Sequence, residues 1–188
     1  MLSPNEFLKY VVEKLQQAGI DYVICGSVAA SFYGVTRSTI DTDIIINTTK
    51  EQLTRFIELL GNEYYVSSEA AFDALQQGTM FNVIDMENSY KADLIIKKQT
   101  NFSDEEFSRR KRQLLLGKEF YVLSPEDNIL SKLAWAKESH SEQQYNDVMK
   151  ILEASAGSLD TKYLSKWTKI LDVENDLNKC LSQIKGLR

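Results

Sequence analysis

Apolar positions along this chain recur with two periods, and the changes between them mark its organisation. Phe7, Val11, Val12 and Leu15 follow helical spacing, with Ser3-Pro4 and Glu6 forming a start close to a capping box and Gly19 an end. Residues 22–25 then read as a short apolar strand broken at Gly26-Ser27. A helix of small residues (Val28, Ala29, Ala30) follows, then a loop through Gly34 and Arg37 and a second strand over 41–46. Thr48 or Thr49 caps a helix whose apolar face is Leu53, Phe56, Ile57 and Leu60, stopped by Gly61-Asn62. A short strand over 64–66 and a short helix from Ser68 to Gly78 come next. Residues 81–86 and 91–96 form two strands around the turn-forming pair Asn88-Ser89. Beyond a helix from Asp104, residues 114–116 and 120–123 flank Gly117-Lys118 as a second hairpin.

From Ser124-Pro125-Glu126-Asp127, a strong helix start, the pattern is helical to the end: 126–139, 141–154, 160–171 and 173–184, with breaks near Gly157 and Asp172. The pattern therefore predicts an α+β chain. Residues 1–123 form an α/β core, a mixed sheet flanked by helices, and residues 124–188 form a helical region that packs on it, since no flexible linker separates the two.

Composition adds limits. The 188 residues are 43% apolar and 26% charged, as in an ordinary soluble protein. No apolar run approaches the roughly 20 residues that span a bilayer, and the N-terminus lacks a signal-peptide pattern. Cys25 and Cys180 lie far apart, the pattern of a reduced, cytoplasmic protein without a membrane partner. A net charge of −5 argues against a protein that coats nucleic acid. The run from Arg109 to Arg112 is the obvious candidate for a local patch that could still bind nucleic acid; the other reading is the solvated basic end of the helix from Asp104, where it suits the helix dipole.

The candidate chemistry lies between residues 23 and 46. Asp41 and Asp43, two apart on a strand, share a face while Thr42 points to the other. Such a pair can hold a hard divalent cation through oxygen. Gly26 allows close approach of the backbone to a ligand, and the N–H groups of a helix beginning at Ser27 suit an anion. Together they point to metal-assisted phosphoryl or nucleotidyl chemistry.

Cys25-Gly26-Ser27 and Asp41-Thr42-Asp43-Ile44 resemble the signature of the DNA polymerase β-like nucleotidyltransferase superfamily. The spacer 28–40 is long for that signature, and Thr42 replaces its usual apolar residue. The third carboxylate the resemblance expects is Asp93, between Ala92 and Leu94, with Asp85 as its rival; alternation places Asp93 on the face of Lys91 and Ile95. The runs KADLII, SPEDNILSKLAWAK and YNDVMKIL are similar to a small bacterial branch of nucleotidyltransferase-like proteins, related to AbiEii-type toxins and antibiotic nucleotidyltransferases.

The resemblance implies transfer of a nucleoside monophosphate from a nucleoside triphosphate to an unidentified acceptor hydroxyl, on a small molecule, RNA or protein, with release of pyrophosphate. Two Mg²⁺ (or Mn²⁺) ions would be held by Asp41 and Asp43, with Asp93 completing the acceptor-side ion and taking the acceptor's proton. Gly26 and Ser27 would hold the terminal phosphates. Arg37 would reach the phosphates or neutralise the carboxylates. Lys132, on a flank with Trp135 and Ser139 beside the arc of Ile129, Leu130 and Leu133, would meet the triphosphate. Asp147 matches the branch, but Asn146 stands where relatives often carry Arg, which favours a structural role. The AbiEii relationship raises an RNA-directed toxin with an antitoxin partner as the alternative, and a non-catalytic nucleotide-binding module is a further one. His140 is the only histidine, so a zinc site or Ser-His triad has no support.

Overall fold

In the computed structural model, which describes residues 3–35, 41–115 and 117–186, the first helix (α1, Pro4–Ala18) is set by its caps. Ser3 Oγ accepts from the N–H of Glu6, whose carboxylate accepts from the N–H of Ser3, and left-handed Gly19 closes the other end. Thr49 and Gln52 repeat the box at α3 (Lys50–Leu60), which settles the choice between Thr48 and Thr49. Each such cap contributes about 1 kcal/mol.

Two compact units make up the chain: Met1–Cys25 with Ser38–Val122, and Gly26–Arg37 with Leu123–Arg188. The pattern change read at Ser124 lies next to the second boundary; the grouping of residues 26–37 with the helical residues is a feature the periodicity does not carry.

The first unit holds a seven-stranded mixed sheet. Its strands are β1 (Asp21–Ile24), β2 (Asp41–Asn47), β3 (Tyr64–Tyr65), β4 (Met80–Asp85), β5 (Lys91–Ile96), β6 (Lys111–Leu115) and β7 (Lys118–Val122), in spatial order β3-β4-β5-β2-β1-β7-β6. β2 runs parallel to β5 and β1 to β7; the other pairs are antiparallel. One sheet face carries Ile44 and Ile46 of β2, Ala92, Leu94 and Ile96 of β5, and Phe81 and Val83 of β4, all buried. α1, α3 and α4 (Ser68–Gln77) pack on this face. Phe7 and Tyr10 of α1 stack on Tyr64, Tyr10 Oη donates to the carbonyl of Leu60 at the end of α3, and Leu75 of α4 lies near Ile46 and Ile96. Those last three residues border a shallow cavity of about 490 Å³ at the C-terminal ends of β2 and β5.

One element departs from its sequence reading. α5 spans Asn101–Ser108, capped by Thr100, and Arg109 is already its C-cap. The basic run is therefore a helix end only at Arg109: Lys111 and Arg112 begin β6. Pairing with β7 explains this, since Lys111, Arg112 and Gln113 face Val122, Tyr121 and Phe120 in register, and charges are tolerated on an edge strand.

The second unit contains α2 (Gly26–Ser31), α6 (Pro125–Ser139), α7 (Glu142–Ala154), α8 (Thr161–Ile170) and α9 (Glu174–Gly186). Ile129, Leu130 and Leu133 of α6, Val148 and Ile151 of α7, and Leu164 and Trp167 of α8 form its core. Ser124 caps α6 and donates to Asp127 at 2.5 Å; Tyr163 Oη donates to the same buried carboxylate at 2.6 Å, tying α8 to the start of α6. Among the described residues, no helix is long and apolar enough to cross a membrane.

Candidate active site

The parallel pairing of β2 with β5 brings the predicted carboxylates together. Asp43 lies in register with Asp93, and Asp41 with Lys91. Because paired residues point to the same side of a sheet, the face opposite α1, α3 and α4 is laid out in rows. One row runs Tyr65, Ile84, Lys91, Asp41 across four strands. The next runs Asn82, Asp93, Asp43, and Cys25 N–H donates to the carbonyl of Asp43 at 2.9 Å. A third runs Met80, Ile95, Ile45, Val23. The carboxylates thus share one face, and Asp93 is the most sheltered at 8% exposure.

Two further groups engage these carboxylates. Lys91 Nζ lies 3.2 Å from Asp93 Oδ2 and 3.8 Å from Asp41 Oδ2, and Asn82 Nδ2 donates to Asp93 Oδ1. Partial burial works against the charge on Lys91, but the hydrogen bond to Asp93 and the field of Asp93, Asp41 and Asp43 outweigh it and raise its pKa. Sequence alternation placed Lys91 on this face. Asn82 was missed, and only the hairpin register could have found it.

Asp85 belongs elsewhere. Three residues beyond Asn82 on β4, it points to the opposite face, where its carboxylate accepts from the N–H groups of Glu87 and Asn88 and from Asn88 Nδ2, at 2.9–3.0 Å. It folds the β4–β5 turn, in which Ser89 has φ +60°. Burial pushes its pKa up, yet these three hydrogen bonds prevail and hold it below the usual carboxylate range.

The remaining candidates lie in the second unit. Gly26 has φ +65°, a conformation glycine adopts at little cost, where the chain enters α2. Ser27 is half-buried, and Asn128 Nδ2 holds the Gly26 carbonyl at 3.0 Å. Lys132 is not on an open flank with Trp135: it is 7% exposed, whereas Trp135 is 55% exposed. The reason is α7, which packs against α6 and supplies Asp147 Oδ2 and Gln144 Oε1, each 3.0 Å from Lys132 Nζ. Asp147 thus has the structural role its sequence context favoured. Arg37 lies outside the described residues.

The donor chemistry of the sheet face, three carboxylates, suits a hard divalent cation. Among the described residues, however, no group of three or more Asp, Glu, His or Cys side chains is arranged to hold a metal. Lys91 and Asn82 already engage the two oxygens of Asp93.

Comparison with known proteins fits this geometry. The model of a family described as nucleotidyltransferase of unknown function (DUF6036) matches residues 5–179. An antigenic nucleotidyltransferase-like protein from Paracoccidioides brasiliensis shares the fold with a TM-score of 0.57 at 16% identity, covering 96% of this chain and 94% of that one. ANT(2'')-Ia, solved with adenylyl-2''-tobramycin, gives 0.57 at 14% identity over 88% and 95% of the two chains. The lincosamide antibiotic adenylyltransferase LnuA, lincomycin-bound, gives 0.51 at 12% over 78% and 95%. No curated protein matches the sequence.

Proposed function

The chain belongs to a family of nucleotidyltransferases of unknown function, and we propose that it transfers a nucleoside monophosphate from a nucleoside triphosphate to an acceptor hydroxyl, releasing pyrophosphate. The observation that carries this reading is the in-register pair Asp43–Asp93 on one sheet face, with Asp41 two residues before it. Asp41, Asp43 and Asp93 would hold divalent cations, Mg²⁺ or Mn²⁺, two in the full reaction. Bound there, the cations would offset charge on the attacking and leaving oxygens. Asp93, the most sheltered of the three, would accept the proton of the acceptor hydroxyl.

Gly26 and Ser27, which follow Cys25 directly in the chain, would hold the terminal phosphates through backbone N–H groups and the serine hydroxyl. Arg37 would add charge to them. Lys132, held by Asp147 and Gln144, would contribute as well. Such fixed dipoles and charges supply most of the catalysis in phosphoryl transfer. Asp93→Asn should lower transfer by at least about 10²-fold while leaving triphosphate binding measurable. A variant with full transfer would remove Asp93 from the chemistry.

A small-molecule hydroxyl is the first reading of the acceptor, and outward from Asp93 the face carries the uncharged Asn82, Ile84 and Tyr65. An RNA acceptor is the second reading. Arg110 lies over the rings of Phe107 and Tyr121, 4.6 and 4.9 Å from their centroids, and Arg112 over Tyr121 at 5.5 Å. Both cations are also paired, Arg110 with Asp21 at 3.4 Å and Arg112 with Glu119 at 3.6 Å, so a single strand would have to displace those carboxylates to stack there. In that case the protein would act as a toxin-like enzyme with an antitoxin partner, and RNA binding would weaken steeply with salt. Triphosphate binding without turnover under any acceptor would instead indicate a nucleotide-binding module.

A further inference from the structure

The geometry points to Lys91 as a built-in counter-ion that competes with the divalent cation for Asp41 and Asp93, so that the cation is admitted with the nucleotide rather than before it. This rests on the proposed function and deepens it. Register fixes the arrangement: Lys91 is paired with Asp41 across the β2–β5 ladder and stands two residues before Asp93 on the same face. Its ammonium reaches both carboxylates, at 3.8 and 3.2 Å, while Asn82 holds the other oxygen of Asp93. An ammonium there neutralises one of the three charges that would attract a cation, and it repels a dication directly.

Lys91 is also able to leave. Its side chain is 34% exposed, and its long stem can carry the charge away without disturbing the apolar face behind the sheet. The phosphates of an arriving nucleotide offer it new anionic partners, and its departure uncovers Asp93 Oδ2. Without nucleotide, Lys91 offsets one of the three carboxylate charges and holds Asp93 Oδ2, so the face binds dications weakly. Lys91 is therefore a positioning residue that sets the order of loading.

The test measures Mn²⁺ binding directly, by the loss of the free Mn²⁺ paramagnetic signal, in the full chain without nucleotide. Wild type, Lys91→Met and Lys91→Arg are compared, each with and without Asp43→Asn; melting curves confirm that every variant is folded. Removing one positive charge about 6 Å from a dication near the protein surface should tighten binding by on the order of tenfold or more. Lys91→Met should show that gain, Lys91→Arg should resemble wild type, and Asp43→Asn should abolish the gain. Addition of a non-hydrolysable triphosphate should narrow the gap between wild type and Lys91→Met. If Lys91→Met binds Mn²⁺ no more tightly than wild type while Asp43→Asn still removes binding, the counter-ion role is overturned and the metal site stands. If no variant binds Mn²⁺ with or without the triphosphate, the metal reading falls, and the counter-ion role with it.

Discussion

The buried pair between α6 and α7 gives a prediction whose size follows from its surroundings. Lys132→Met keeps most of the apolar stem and removes the charge. What remains is the carboxylate of Asp147, 5% exposed and deprived of the ammonium 3.0 Å away. Removing one member of a buried pair costs about 3–5 kcal/mol, whereas an exposed pair contributes only about 0–1 kcal/mol. A value at the lower end of that range, about 3 kcal/mol, is expected. With a urea slope of about 2 kcal/mol/M, the midpoint for unfolding of the helical unit should fall by about 1.5 M. Lys132→Met/Asp147→Leu, which leaves no orphaned charge, should recover most of that loss. Fluorescence-detected urea melts of the four proteins of the cycle would measure both effects. A single-variant shift below about 0.3 M would refute the argument, because it would mean that Lys132 behaves as a solvated lysine.

Substitutions at two other positions separate scaffold from chemistry. Asp85→Ala should cost about 2 kcal/mol by stripping the β4–β5 turn of a charged acceptor, with transfer per folded molecule unchanged; a stable variant with lost activity would contradict the assignment. Because the folded state holds the Asp85 pKa below its unfolded value, its contribution is present above the unfolded value and lost as pH falls through the folded one. Acid melts should therefore be steeper for wild type than for Asp85→Asn, and coincident curves would refute this. Gly26→Ala forces φ +65° on a residue with a Cβ and should destabilise the chain by about 1–2 kcal/mol, together with a fall in triphosphate affinity read by calorimetry. Unchanged affinity would remove the Gly26 backbone from the phosphate site.

Much of this structure was legible because local signals agreed with the fold. The caps at Ser3, Thr49 and Ser124 each begin a helix where the apolar period changes. The alternation of 91–96 placed Lys91 and Asp93 on one face, and the parallel partner β2 then set Asp43 beside Asp93. The pairing itself was not legible, since it joins strands some fifty residues apart across two helices, α3 and α4, and two strands, β3 and β4. Asn82 was missed for a smaller reason. Centring the β4–β5 turn on Asn88-Ser89 pairs Asp93 with Ile84, but the Asp85 carboxylate gathers Glu87 and Asn88 and shifts the centre, so that Asp93 faces Asn82.

Arg109–Arg112 misled because charge runs read as helix ends when acids precede them, while the pairing partner that drew Lys111 and Arg112 into β6 lies later in the chain. Lys132 was assigned to an open flank because angular position on α6 says nothing of α7. Its burial with Asp147 and Gln144 depends on contacts that no single-helix pattern contains.

The central claim is nucleotidyl transfer dependent on the carboxylate face, and one experiment addresses it most directly. Purified protein is incubated with each α-labelled nucleoside triphosphate and Mg²⁺, with total RNA or a metabolite extract as acceptor, beside Asp41→Ala/Asp43→Ala. The account predicts label transferred to an acceptor by the wild type, with pyrophosphate released, and none by the double variant or after chelation. Transfer that persists in the double variant would contradict it, and so would a wild type that neither transfers label nor binds any of the triphosphates.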